Sequence, residues 1–308
     1  MDGLFHYRIL LMNRTVTILC AALVASSCTI MPEPVPVNVI FMGKAPVKVK
    51  GGAWDDEGKV GTLDLLVFRS RDGRLLDRSS CTGNLPLEAC VPAGEPCRWY
   101  IVANAAGCIG DCTTLEEYMQ TEFCLQDGPV MHAEGLETFR ESGTTVEAGL
   151  SRFACKVGLG SISVSWTDAL PCTLETIALT NVLGTTTPGL PASTGKLNCG
   201  EVTEDLSGLI ARYPGLEIRD GEPVDLGTSL FCMPSEGTRI ALCITAQGHP
   251  NWYPIDLPPM EENHCYLVDN VVINGPGAPG VDQPVERTQA EFSVRVTPWE
   301  EKAVPIQL

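Results

Sequence analysis

Basic residues are scarce. Twenty-one Lys and Arg stand against 38 Asp and Glu in 308 residues, a formal net charge of −17. Binding to nucleic acid or to an anionic membrane surface needs clustered cations, so this balance argues against both. Histidine is scarcer still, at four residues. His132, His249 and His264 have no partner at ligand spacing, and no CxxC pair occurs, so no zinc site is legible. No apolar run approaches the ~20 residues needed to cross a bilayer as a helix. The chain also lacks a GxSxG elbow, an HExxH pair, a phosphate-cradling GxxxxGK[ST] and a GxGxxG opening a helix. Neither an enzyme nor a resident cofactor or metal is expected.

What is present begins at the N-terminus. Arg8 and Arg14 lead into the apolar run Val16 to Ala25, which ends in Ser26-Ser27-Cys28. A run of about ten residues after a short basic stretch is the layout of a cleaved secretory signal. Small residues before a cysteine suit a lipoprotein signal peptidase, with Cys28 taking the diacylglycerol; Ala25 stands where Leu is usual. An ordinary signal cleaved near Ala25 is the alternative. On the lipoprotein reading residues 1–27 are signal peptide and 28–36, rich in proline, form a stiff tether. Acyl chains on Cys28 would anchor the chain to the outer membrane without spanning it.

Fourteen cysteines are many. Setting aside Cys20 and Cys28 leaves an even twelve, which in an exported protein suggests disulfides. Cys90 with Cys97 and Cys108 with Cys112 are the local candidates; buried thiols packing as small hydrophobes are the other reading.

The remaining chain, 44% hydrophobic and 19% charged, can bury a real core. Its patterning has a period of two. Val37, Val39 and Phe41 share one strand face, and Val47 and Val49 alternate with lysines. Leu63 to Phe68 runs into Arg71-Asp72-Gly73, a hairpin turn, and then Leu75-Leu76. Trp99 to Ala105 reads as a buried strand. Thr114 and Glu117 form a capping box for a short helix with Leu115, Tyr118 and Met119 on one face, placed across the open end of a sandwich. Leu206, Leu209, Ile210 and Tyr213 permit a second. From Phe153 to Trp166 the apolar phase switches from odd to even positions at Gly160, which predicts a β-bulge. Further strands are expected at 229–233, 239–246, 265–273 and 289–297. The fold class is therefore all-β, two antiparallel β-sandwich domains with one or two short helices, spanning 37–149 and 150–308.

Asp55-Asp56-Glu57 and Glu261-Glu262 read as solvated turns. Trp99, Trp252-Tyr253 and Trp299 either pack in cores or form a sugar-stacking platform, the mark of a surface glycan-binding lipoprotein in polysaccharide uptake.

In order and spacing, Leu63 to Phe68 with Arg71-Asp72-Gly73, Tyr100 to Ala105, Leu150 to Val157, Leu179 to Val182 and Phe292 to Trp299, with the lipobox, resemble the fimbrillin superfamily of Bacteroidota-type pili. The resemblance implies two transthyretin-like sandwiches and a lipid-anchored structural subunit of a surface fimbria. Its partners would be other fimbrial subunits and a host or bacterial surface ligand. It also implies assembly by β-strand addition: a protease removes the first strand after a basic residue, and another subunit's terminal strand fills the groove. The strand-exchange candidates are Val37, Val39 and Phe41 in the first strand, and Phe292, Val294, Val296 and Ile306 near the C-terminus. Between Cys28 and Arg69 there is no arginine, only Lys44, Lys48, Lys50 and Lys59. Arginine-directed removal of the first strand has no site there, which favours an uncleaved anchor or accessory subunit over cleavage near Lys48 or Lys50.

Overall fold

The structure, a computed structural model, describes residues 35–43, 60–82, 86–105, 107–124, 130–142, 144–166, 171–183, 185–188, 196–197, 210–281, 283, 285 and 289–298. The first set of strands is β1 (Pro36–Gly43), β2 (Thr62–Arg69), β3 (Leu75–Thr82), β4 (Leu87–Pro92) and β5 (Pro96–Ala103). After the helix α1 (Leu115–Met119) come β6 (Phe123–Cys124), β7 (Met131–Thr138), β8 (Thr144–Ala148) and β9 (Ser151–Arg152). A three-stranded sheet in the order β4-β1-β8 faces a five-stranded sheet, β3-β2-β5-β7-β9. Their inward rows interdigitate in one core. Val37, Val39, Phe41, Leu87, Val91 and Val146 come from the first sheet, and Leu63, Leu65, Val67, Trp99, Ile101 and Met131 from the second.

The second set comprises β10 (Cys155–Val164), β11 (Cys172–Thr180), β12 (Val182–Leu183), β13 (Thr185–Thr186), β14 (Lys196–Leu197) and β15 (Ile210–Ile218). It continues with β16 (Val224–Cys232), β17 (Arg239–Ala246), β18 (His249–Asp256), β19 (His264–Ile273) and β20 (Ala290–Pro298). Sheets β16-β10-β19-β20 and β15-β11-β17-β18 enclose a separate core that includes Val157, Leu159, Ile162, Leu174, Ile177, Leu242, Tyr266 and Val268. The short pairs β12-β14 and β13-β6 lie outside these sheets. Both sandwiches follow from the alternation: a strand with one apolar row must turn that row toward another sheet. The all-β class with a short helix is the architecture found.

Local signals act as their chemistry dictates. Gly73 has φ +69° in the β2–β3 turn, where its N–H donates to the Arg69 carbonyl at 2.9 Å. The α1 capping box forms: the Thr114 side chain accepts from the Glu117 N–H, and the Glu117 carboxylate accepts from the Thr114 N–H. That carboxyl is held below its ordinary range by backbone and side-chain hydrogen bonds from Thr113, against a smaller desolvation effect.

Three expectations change. The helix does not close an open end. It lies on the outer face of the five-stranded sheet, where Tyr118 contacts Tyr100 at 4.8 Å and Phe68 at 5.8 Å between ring centroids. This is why Leu65 to Phe68 is apolar without a break: this part of β2 is buried on both faces, outward against Tyr118, Phe123, Phe153 and Met233. Ile210 and Tyr213 stand on β15, not on a helix, because Pro214 removes a helical donor and a pleated strand has partners on β11. The Gly160 switch is real but shared. The β10–β16 register shifts between Leu159 and Ser161, so Leu226 and Gly227 oppose Gly160. On β19, Asp269-Asn270 breaks phase at the same level, with Asn270 at φ +53°. A Cβ on Gly160 would lie 2.5 Å from the Asp269 carboxylate, so any larger residue there would have to displace that carboxylate.

Candidate functional site

The first strand is central rather than peripheral. β1 lies between β4, to which it is antiparallel with Pro36 opposite Pro92 and Phe41 opposite Leu87, and β8, to which it is parallel. Among the described residues β4 and β8 each have β1 as their one sheet neighbour. Val37, Val39 and Phe41 are buried, with Phe41 fully enclosed, while Ile40 on the opposite face is 38% exposed. The Phe41 ring meets Trp99 edge-on at 5.4 Å and Phe139 at 6.4 Å. The three inward candidates of β1 therefore occupy one continuous apolar slot. Its walls are Leu87, Ala89 and Val91 on one side and Val146 and Ala148 on the other, with Trp99 as floor. Withdrawing β1 would leave that trough open and two rows of backbone donors and acceptors unpaired, the geometry that a donated strand satisfies. The wall residues went unremarked in the sequence, although Leu87-Glu-Ala-Cys-Val91 and Thr144-Thr-Val-Glu-Ala148 carry the alternation that marks them.

The last strand is an edge. Among the described residues β20 pairs with β19 alone, Val294 opposite Val268 and Val296 opposite Tyr266. Phe292, Val294 and Val296 lie on its core-side face, yet Phe292 is 44% and Val296 46% exposed, and Val294 packs partly against the second core. The two sets of candidates thus differ: one fills a slot, the other forms a half-covered apolar row on an edge. The structure does not bring them together. Cys28 and Ile306 lie outside the described residues, as do Val47, Val49, Leu206, Leu209 and Trp299.

The remaining candidates are placed as follows. Cys90 is exposed on the outward face of β4, whereas Cys97 points into the first core from β5 and its thiol donates to the Glu95 carbonyl at 3.5 Å. Facing opposite ways on different sheets, Cys90 and Cys97 are not joined. Cys108 and Cys112 sit half-buried in the loop before α1, packed against the cluster on the outer face of the five-stranded sheet. Trp99 is in the first core and Tyr253 in the second, where its hydroxyl donates to the Gly275 carbonyl at 2.8 Å. These aromatics form no common stacking row.

Where the chain passes from one sandwich to the other, His132 stacks on Phe153 with centroids 3.9 Å apart and planes 5° off parallel. Burial depresses the imidazole to about 4, although the Glu262 carboxylate lies 3.9 Å from its Nε2. The Arg152 N–H donates to Asn263 Oδ1, and the Asn263 N–H donates to the Ala154 carbonyl, tying the crossing segment to the second sandwich.

No family model matches the chain, and no curated protein is similar to it in sequence. Solved structures are similar in fold. A candidate cell adhesion protein from Bacteroides eggerthii DSM 20697 superposes with a TM-score of 0.65 at 17% identity, over 87% of this chain and 96% of the other. A candidate cell adhesion protein from Parabacteroides distasonis ATCC 8503 gives 0.63 at 14% identity, over 87% and 97%. A fimbrilin (FimA) from Porphyromonas gingivalis W83 gives 0.59 at 13% identity, over 90% and 99%. The chain has the fimbrilin fold. The segments that carried the sequence resemblance are structural members of it: β2 with its turn, β5, the crossing from β9 into β10, the end of β11 into β12, and β20.

Proposed function

We propose that this chain is a structural, non-catalytic subunit of a cell-surface fimbria, held at the outer membrane through acylated Cys28 and joined to other subunits by β-strand addition. The observation that carries the reading is the position of β1. A buried strand at the centre of its sheet, linked to the rest of the fold through residues 44–59, is the part whose replacement by a foreign strand would couple two subunits most tightly. The likeness in fold to a fimbrilin and to candidate cell adhesion proteins supports it. The two sandwiches are taken as two domains dividing between residues 149 and 150.

Residues 29–68 contain no arginine, and a subunit that keeps β1 keeps its own slot filled. Such a subunit can donate its C-terminal segment, which includes Ile306, but cannot accept a strand. It therefore belongs at one end of the fibre, as an anchor or accessory subunit, where a surface ligand is contacted by the assembled fimbria.

The test is intact mass with N-terminal analysis of the chain taken from its native cell surface, together with microscopy of cells lacking it. Acylated Cys28 at the terminus is the expected result. A terminus between residues 44 and 60 would make the chain a polymerising subunit instead. Unchanged number, length and attachment of fimbriae in cells without the chain would overturn the fimbrial reading.

A further inference from the structure

One pair of cysteines meets. Cys155 opens β10 and Cys232 closes β16, and the antiparallel register sets them directly opposite each other. Directly opposed residues in an antiparallel ladder have Cα atoms about 4.5–5.5 Å apart, within the roughly 4.4–6.8 Å that a disulfide spans. Both side chains belong to the inward row of the second core and are fully buried. The two thiols share a hydrogen bond, and further contacts hold each sulfur in place: Cys155 Sγ donates to the Glu261 carbonyl at 2.9 Å, and Cys232 Sγ lies 3.8 Å from Met260 Sδ. No other ladder among the described residues sets one cysteine against another.

We propose that Cys155 and Cys232 become a disulfide as the chain folds, a covalent staple across β10 and β16 at the end of the second sandwich nearest the crossing from the first. Cys155 follows the crossing segment directly, and Cys232 precedes Met233, which packs on the outer face of the first sandwich's sheet. The bond would therefore fix both strands where the two sandwiches meet. The oxidant is a disulfide, RSSR, either small or carried by a thiol-disulfide exchange protein. One cysteine thiolate attacks RSSR and expels RS⁻, leaving a mixed disulfide. The second thiolate then attacks the protein sulfur of that mixed disulfide and expels the other RS⁻. Two protein thiols are oxidised, one RSSR is reduced, and the protons of the two thiols pass to the two leaving thiolates to give two RSH.

The timing follows from burial. In the folded chain its hydrogen bond with Cys232, with desolvation, holds the Cys155 thiol far above its ordinary range, so thiolate is scarce and no oxidant reaches it. The bond must close before β16 packs, and once closed it is shielded from reductants. In life it requires the oxidising location implied by the exported reading; its geometry does not depend on that reading.

The test is to refold the full chain from denaturant in a mixture of oxidised and reduced glutathione, and in parallel with dithiothreitol. Each sample is then denatured, alkylated, digested and mapped by mass spectrometry. Glutathione refolding is expected to give a linked Cys155–Cys232 peptide pair, about 2 Da lighter than its two thiol peptides, through loss of two hydrogens. Cys155→Ser treated alike should leave Cys232 alkylated. Alkylation of both cysteines after oxidative refolding of the unaltered chain, or linkage of either to a different cysteine, would overturn the proposal whatever the variant does. The same digest of chain from the cell surface separates the two readings: a link formed in vitro but absent there upholds the pair and counts against the oxidising location.

Discussion

Replacing Phe41 with alanine asks whether β1 is held in its slot by its inward row. Phe41 is fully buried and meets Trp99 and Phe139 edge-on. Truncating a buried phenylalanine to alanine costs about 3–5 kcal/mol, the transfer loss plus the cavity left behind. Beside a typical domain stability of about 5–15 kcal/mol, that is enough to make opening of β1 the easiest excursion of the first sandwich. At about 1.4 kcal/mol per tenfold, even 3 kcal/mol raises the open population on the order of 100-fold. Because among the described residues β4 and β8 each pair with β1 alone, their amides bonded to β1 should lose protection with it. Hydrogen exchange read by mass spectrometry, Phe41→Ala against the unaltered chain, should show that loss in β1, β4 and β8. The amides of β11 and β17, in the second sandwich, should keep their protection. A change in β1 below about tenfold, well short of that expected free energy, or an equal loss in both sandwiches, would refute the picture of a separable strand in a packed slot.

Three further outcomes are expected. Burial depresses His132 from 6.5 to about 4, so its neutral form contributes stability that is full above pH 6.5 and lost as pH falls toward 4, about 3 kcal/mol in all. Urea midpoints of His132→Phe, which keeps a ring against Phe153, should therefore fall less than those of the unaltered chain between pH 7 and pH 4.5; parallel falls would sink this assignment. Gly135→Ala should destabilise by about 1–3 kcal/mol, because a Cβ there would lie 2.5 Å from the Trp99 ring, and the near-ultraviolet dichroism of Trp99 should change; an unshifted melting curve would count against the contact. Thr114→Ala should cost about 1 kcal/mol by removing the α1 cap, seen in the urea midpoint, and no measurable cost would mean that Tyr118 packing alone holds the helix.

Much of the fold was legible in local pattern. The strand expected at 239–246 is β17 residue for residue. The Arg71-Asp72-Gly73 turn, the Thr114 box and the Gly160 switch all act as their chemistry requires. The β17–β18 hairpin shows how narrow the margin is. Gln247 and Gly248, at φ +51° and +79°, make the two-residue turn, and the neighbouring His249-Pro250-Asn251, polar enough for a turn, begins β18. The place of α1 was not legible. Leu66 and Phe68 alternate with Leu65 and Val67, and nothing within β2 says that α1 and Phe153 cover its second side.

The sequence by itself determined the period of two, the turns and caps, the surplus of acid over base and the apolar row Val37, Val39, Phe41, because each of these is settled among residues a few positions apart. Only the tertiary structure decided that this row sits between β4 and β8, that β20 is an edge with Phe292 half exposed, and that Cys155 faces Cys232 and not a nearer cysteine. Alternation specifies which side chains share a face; which strands lie side by side is set by burying all the faces at once, and that is a property of the whole chain.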